Sequence, residues 1–199
     1  DTSITLDSTM LTGTGDVTVE SSKSNTVSAK TLGGAAGALA LQGVVAAAED
    51  KGSSTIALTG KSALSGKDLA LTAKSTPQVM ADATAYSGAL VGAGGASIAM
   101  AKVGGKVQLT AAEGASFTGD DIAFTAFYGQ QGDDNSSYKN AKATAVGNAA
   151  ARGGTIQANV ATAEQDTEVH VDLGKSKYTA ENLTIAGNNA AALDATAKG

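Results

Sequence analysis

Paired apolar-x-apolar runs recur along this chain at a nearly constant period. Ile56-Ala57-Leu58-Thr59 leads to Leu69-Ala70-Leu71-Thr72, Val107-Gln108-Leu109-Thr110 to Ile122-Ala123-Phe124-Thr125, and Val169-His170-Val171-Asp172 to Leu183-Thr184-Ile185. A further copy, Ile4-Thr5-Leu6-Asp7 with Val17-Thr18-Val19-Glu20, opens the chain. The second runs start 52, 53 and 61 residues apart, and such a period marks units that bury a core only by stacking on one another. Residues 1–199 therefore read as one continuous segment, with approximate repeats 1–66, 67–119, 120–180 and a partial 181–199.

Strict alternation makes each run a strand with one buried face. Ile56, Leu58, Leu69, Leu71, Val107, Leu109, Ile122, Phe124, Val169, Val171, Leu183 and Ile185 are expected to point inward, and Ala57, Thr59, Ala70, Thr72, Gln108 and Thr110 outward. The gaps within a copy hold a large apolar residue, then Thr or Ser, Gly or Ala, and Asp or Asn, as in Leu64-Ser65-Gly66-Lys67-Asp68 and Phe117-Thr118-Gly119-Asp120-Asp121. Gly, Asp and Asn supply the positive φ and the side-chain-to-backbone bonds that a corner between short strands requires. Leu64, Phe117 and Tyr178 are expected beneath those corners. The fold class is all-β, a parallel β-helix or β-solenoid, with two or three coils in each copy and eight to eleven in the chain, successive coils about 4.8 Å apart.

The rest of each copy is rich in Ala and Gly: 37–48, 88–101 and 147–161. Alanine favours a helix, but Gly92, Gly94, Gly95 and Gly153-Gly154 each cost about 1 kcal/mol in one, and Ile98-Ala99-Met100-Ala101 and Thr155-Ile156-Gln157-Ala158 alternate like strands. The third copy is lengthened by a polar insertion over 128–139, expected to bulge from one side without breaking the stack.

With a net charge of −5, one Arg (Arg152) and thirteen scattered Lys, the chain has no basic stripe to neutralise a row of phosphates, and nucleic acid is not an expected partner. The absence of cysteine excludes disulfides and thiolate metal sites. No run of 18 apolar residues occurs, so no membrane-spanning helix is expected. A strand signal already running at Ile4, after a start at Asp1, suggests a piece cut from something longer.

No catalytic residue and no cofactor is expected. Glu168, His170 and Asp172 share one face of a strand, and side chains of these types ligate divalent metals; the competing reading is a solvated face, since the first and third lie about 13 Å apart. Asp120-Asp121 and Gly132-Asp133-Asp134-Asn135 match no calcium-loop spacing. Gly60-Lys61-Ser62 and Gly174-Lys175-Ser176 lack the upstream glycine of a phosphate loop and read as corners. Thr59, Thr72, Thr110 and Thr125 suggest an outward threonine ladder able to meet ice or sugars, or simply good strand residues.

Ser65-Gly66-Lys67-Asp68-Leu69-Ala70-Leu71-Thr72-Ala73 and Thr118-Gly119-Asp120-Asp121-Ile122-Ala123-Phe124-Thr125-Ala126 resemble the repeats of giant secreted bacterial adhesins of the filamentous-haemagglutinin and leukotoxin-like autotransporter type. The likeness runs from about Ile4 to Ile185. It implies a right-handed β-helix exported to the bacterial surface, extracellular, serving as a stalk or adhesive rod. In that role Tyr128, Gln130, Asp133, Asp134, Asn135 and Tyr138 of the insertion are the expected contacts to a host-cell or matrix receptor or glycan. Two alternatives stand beside it: a polysaccharide-cleaving enzyme on a solenoid, its only concentrated acids being Asp120, Asp121, Asp133 and Asp134, and a subunit that associates end to end into a filament.

Overall fold

The computed structural model describes residues 1–130 and 139–199. The described residues form no helix. Their strands in chain order are β1 (Thr2–Asp7), β2 (Met10–Thr12), β3 (Val17–Asp50), β4 (Ser54–Thr59), β5 (Ala63–Ser65), β6 (Asp68–Ala111), β7 (Ser116–Thr118), β8 (Asp121–Gly129), β9 (Ala141–Ala151), β10 (Thr155–Asp172), β11 (Lys177–Thr179), β12 (Asn182–Ala190) and β13 (Leu193–Lys198).

Every pairing among them is parallel and joins a strand to its counterpart one copy later. Val17 lies beside Leu69, Leu69 beside Ile122, and Ile122 beside Leu183; Ile4 lies beside Ile56, Ile56 beside Leu109, and Leu109 beside Val171. Each copy is thus a single circuit, not the expected two or three coils. Both columns are four strands deep, about 15 Å at the usual strand spacing, in place of eight to eleven coils. The sequence shows short strand-like runs at 69–72, 98–101 and 107–110 joined by loop and Ala/Gly-rich composition, where the chain builds one strand of 44 residues. The period-two pattern continues from Leu71 to Ser87 and again from Ser97 to Val103, but largely in small side chains: Ala73, Ser75, Val79, Ala81, Ala83 and Ala85 are buried in step with Leu69 and Leu71. Hydrophobicity fades along this run while the alternation does not.

The register also corrects the matching of the first runs. Ile56 pairs with Leu109, and Val107 with Ser54, two residues from the equivalence that apolar matching gives. A shift of two keeps every side chain on its own face.

Within a circuit the chain folds back so that its two halves face each other. In the first, Ser21 Oγ lies 2.9 Å from Ser54 Oγ, Thr31 Oγ1 donates to the Val45 carbonyl at 2.8 Å, and a Cβ on Gly33 would lie 2.5 Å from Val44 Cγ1. The core between the halves is a wedge. Its thick end holds Ile56, Leu58, Leu71, Leu109, Ile122 and Phe124; its thin end is mostly alanine, including Ala83, Ala85, Ala99 and Ala145. A fully buried Leu or Phe contributes about 1.5–3 kcal/mol by burial, so most of the hydrophobic stabilisation sits at the thick end.

That end is closed by a four-stranded sheet in the order β11-β7-β5-β2. Leu64 and Phe117 are buried beneath the corner as expected, and Tyr178 lies partly buried, stacked on Phe117 with centroids 5.6 Å apart and planes 9° from parallel. The turn before each short strand has a residue in the left-handed region: Ser8, Gly60, Gly114 and Gly174. Gly60-Lys61-Ser62 and Gly174-Lys175-Ser176 therefore sit in corners. Ser62 Oγ lies 3.0 Å from the Leu6 carbonyl and 2.9 Å from the Thr59 carbonyl, its single hydrogen shared between them, and is buried.

The inward assignment holds from Ile56 to Phe124, all essentially inaccessible. Val169 and Val171 are only half-buried, and Leu183 and Ile185, in register with Ile122 and Phe124, are 45% and 53% exposed. No further strand lies over β12 among the described residues.

In places neighbouring layers approach so closely that only glycine fits. Gly105 has φ +106°, and a Cβ there would lie 2.3 Å from the Gly52 carbonyl oxygen. Gly105→Ala is expected to lower the unfolding free energy by about 2 kcal/mol or more. Gly15, which has open space around it, should tolerate alanine within about 0.5 kcal/mol. Urea denaturation of the two variants against the parent checks this.

Candidate functional site

The insertion is where the copies differ most in length; a one-residue shift between Gly37 and Leu39 accounts for the smaller step from 52 to 53 in β3. The register between copies two and three is 53 residues at Ser75 beside Tyr128 and 62 at Val79 beside Ala141, so pairing resumes after nine extra residues. The stack is intact across it, as expected.

Its two feet are fixed by backbone chemistry. At the first, Gly129 has φ +102°, and a Cβ there would lie 2.4 Å from the Ala190 carbonyl oxygen. At the second, Asn140 is fully buried. Its Nδ2 donates to the Pro77 carbonyl at 2.9 Å, while its Oδ1 accepts from the Ala192 amide at 2.9 Å. One side chain therefore ties three layers together below the insertion. The sequence gives no cue to this role beyond an Asn just ahead of a strand.

Tyr128 is not a receptor contact. It lies in register with Ser75 on the inner face and is fully buried, because alternation from Ile122 and Phe124 through Ala126 carries it inward. Gln130 is half-exposed just beyond Gly129. Asp133, Asp134, Asn135 and Tyr138 lie outside the described residues.

Glu168, His170 and Asp172 do share the outer face of β10, but they do not converge. Glu168 is engaged by Lys106 at 2.8 Å, and His170 Nε2 is 4.0 Å from the Asp172 carboxylate. Among the described residues no group of three His, Cys, Asp or Glu side chains is arranged to hold a metal ion. The hydrogen bond from Lys106, reinforced by its charge, holds the Glu168 carboxyl below its ordinary value of 4.5. A depressed carboxyl stabilises the fold above its unfolded-state pKa, and that contribution is lost as pH falls from about 4.5 through the depressed value. Lys106→Ala is expected to return the Glu168 titration midpoint toward 4.5, read by carboxyl-carbon NMR. The pair is solvent-exposed, so salt should largely erase the difference.

At the corner one of the two neighbouring acids is engaged through its side chain and the other through its backbone. Asp121 accepts from Asn182 Nδ2 at 2.7 Å, and the Asp120 amide donates to the Lys67 carbonyl. The threonines form no four-membered ladder: Thr72 pairs with Thr125, but Thr110 lies between Ala57 and Asp172, and Thr59 beside Asp7, whose carboxylate accepts from Thr59 Oγ1 at 2.9 Å.

Two features were passed over in the sequence. The first is an ion pair in the thin core of the first circuit, Lys23 with Asp50, both side chains 9% exposed; the signal was charge at inward parity, four residues after Val19 and two after Ala48. The second is an apolar outer face on the sheet formed by the later parts of β3 and β6 with β10. Leu41, Val45, Met100, Ile156 and Val160 are all exposed there. Its signal was large apolar residues at the parity opposite to Val44, Ala46, Ala99 and Ala101.

No family model matches the chain, and neither does any curated protein or solved structure.

Proposed function

We propose that the chain is a segment of a right-handed parallel β-solenoid and serves as a non-catalytic structural and adhesive rod of a secreted or surface-displayed bacterial filamentous adhesin. The observation that carries this reading is the register: every strand pairs in parallel with its counterpart a whole copy away, so copies add height along one axis. In such a rod the stacked circuits supply reach and stiffness, and side-chain variation on the outer faces and at the insertion supplies contact with a receptor or glycan. The test is binding of the purified chain to arrayed glycans and immobilised matrix proteins, run beside a turnover assay on the same polysaccharides. Saturable binding without cleavage supports the reading; cleavage of any polysaccharide overturns it.

The exposure of Leu183 and Ile185 on the inner face favours one second reading, a subunit that stacks end to end into a filament. A further circuit laid over β12 would bury both. Light scattering that rises with concentration, with fibres in negative stain, would support it.

A further inference from the structure

The apolar outer face has relief. Leu41, Gly94 and Ile156 lie side by side in one column, Gly43, Ala96 and Ala158 in the next, and Val45, Ile98 and Val160 in the one after. Columns two residues apart along a strand are about 6.6 Å apart, so two ridges of branched side chains flank a trough floored by Gly and Ala. Leu41 leans across the first column, where a Cβ on Gly94 would lie 2.8 Å from Leu41 Cδ2. Beyond the ridges the face ends in charges that pair with each other across layers, including Lys102 with Glu164 at 3.8 Å and Lys106 with Glu168 at 2.8 Å.

We infer that this face pairs laterally with the same face of a second copy of the chain, the Val45-Ile98-Val160 ridge of each seated in the Gly43-Ala96-Ala158 trough of the other. Ridge and trough sit side by side on a single flat surface, so a two-fold operation brings each ridge over the partner's trough, as a symmetric interface requires. The size suits a second copy. Nine residues along three strands span roughly 30 by 14 Å, about 400 Å² on each side before side-chain relief is counted. Two such faces bury roughly 1,000 Å² in all, the lower bound for a specific interface and the range of a reversible dimer. An apolar centre with a charged rim is also the ordinary anatomy of a protein interface. The inference does not depend on the adhesive reading, nor on end-to-end stacking, which uses a different surface.

Sedimentation equilibrium of the 199-residue chain from micromolar to millimolar concentration tests it. The weight-average mass should climb from 19.3 kDa toward twice that value. The double variant Val45→Lys, Ile156→Lys should raise the dimer dissociation constant at least about 100-fold with an unchanged circular dichroism spectrum, since both side chains project into solvent. Leu41→Ser, a milder change on the same face, should weaken the dimer without adding charge. Leu183→Lys, at the end of the stack, should leave it intact. A monomer at every concentration overturns the inference, as does a dimer that survives Val45→Lys, Ile156→Lys or is lost in Leu183→Lys. A chain that stays monomeric but co-floats with phosphatidylcholine vesicles overturns it in favour of a lipid surface.

Discussion

Phe124→Ala is expected to lower the unfolding free energy by about 3–5 kcal/mol. The ring is fully buried at the thick end of the wedge and meets Phe117 edge to face at 4.8 Å and Tyr178 at 6.0 Å. Those three rings form an aromatic cluster under the corners of the third and fourth layers, and each edge contact adds about 0.5–1.5 kcal/mol beyond area burial. Layers above and below hold the backbone in register, so the site has little freedom to collapse around the lost volume. Ala83→Gly at the thin end removes a single methyl and should cost only about 1–2 kcal/mol. Chemical denaturation of the two variants gives the comparison. Equal losses at both ends would show that the core is not the wedge described.

Lys23→Met is expected to cost about 3–5 kcal/mol, because it leaves the Asp50 carboxylate inside the first circuit with no countercharge. What remains to Asp50 is weak: Asn25 Nδ2 and the Gly52 amide each lie 3.4 Å away. The double variant Lys23→Met, Asp50→Leu should come back to within about 1 kcal/mol of the parent, since a well-packed apolar pair removes the desolvation penalty along with the attraction. The two single variants and the double form a thermodynamic cycle. A double variant as unstable as Lys23→Met alone would mean that the cost comes from lost packing of the lysine stem and not from the orphaned charge. In the next layers the same positions hold Ser75 and Val103, then Tyr128 and Gln165, so no other circuit carries this pair.

The strand class, the parallel stacking and the corner chemistry were legible because they rest on large side chains and on glycine. Ile56, Leu58, Leu69 and Leu71 announce their face by contrast with Ala57, Thr59, Ala70 and Thr72. The number of circuits was not legible, because between Leu71 and Val107 the inner face is carried mostly by alanine and serine, apart from larger residues such as Val79 and Val103, and such a stretch looks like loop composition even where it alternates. Tyr128 was misplaced for a related reason. It borders a polar stretch and so looks like loop, yet it falls on the inward beat that begins at Ile122. Lys23 and Asp50 escaped notice because a charge at inward parity looks like an interruption of the pattern unless its partner, 27 residues away, is known to face it. Asn140 had no local signal beyond its place just ahead of a strand; its role exists only once Pro77 and Ala192 are brought beside it.

The whole-copy register has a consequence for how such a gene can change. Because residue 17 aligns with 69 and 69 with 122, recombination between equivalent points of two copies adds or removes one complete floor and rejoins matching faces at the seam. Each parallel sheet then widens or narrows by one strand, about 4.8 Å. A crossover between non-equivalent points would set alanine against leucine across the seam and is the kind that selection should discard.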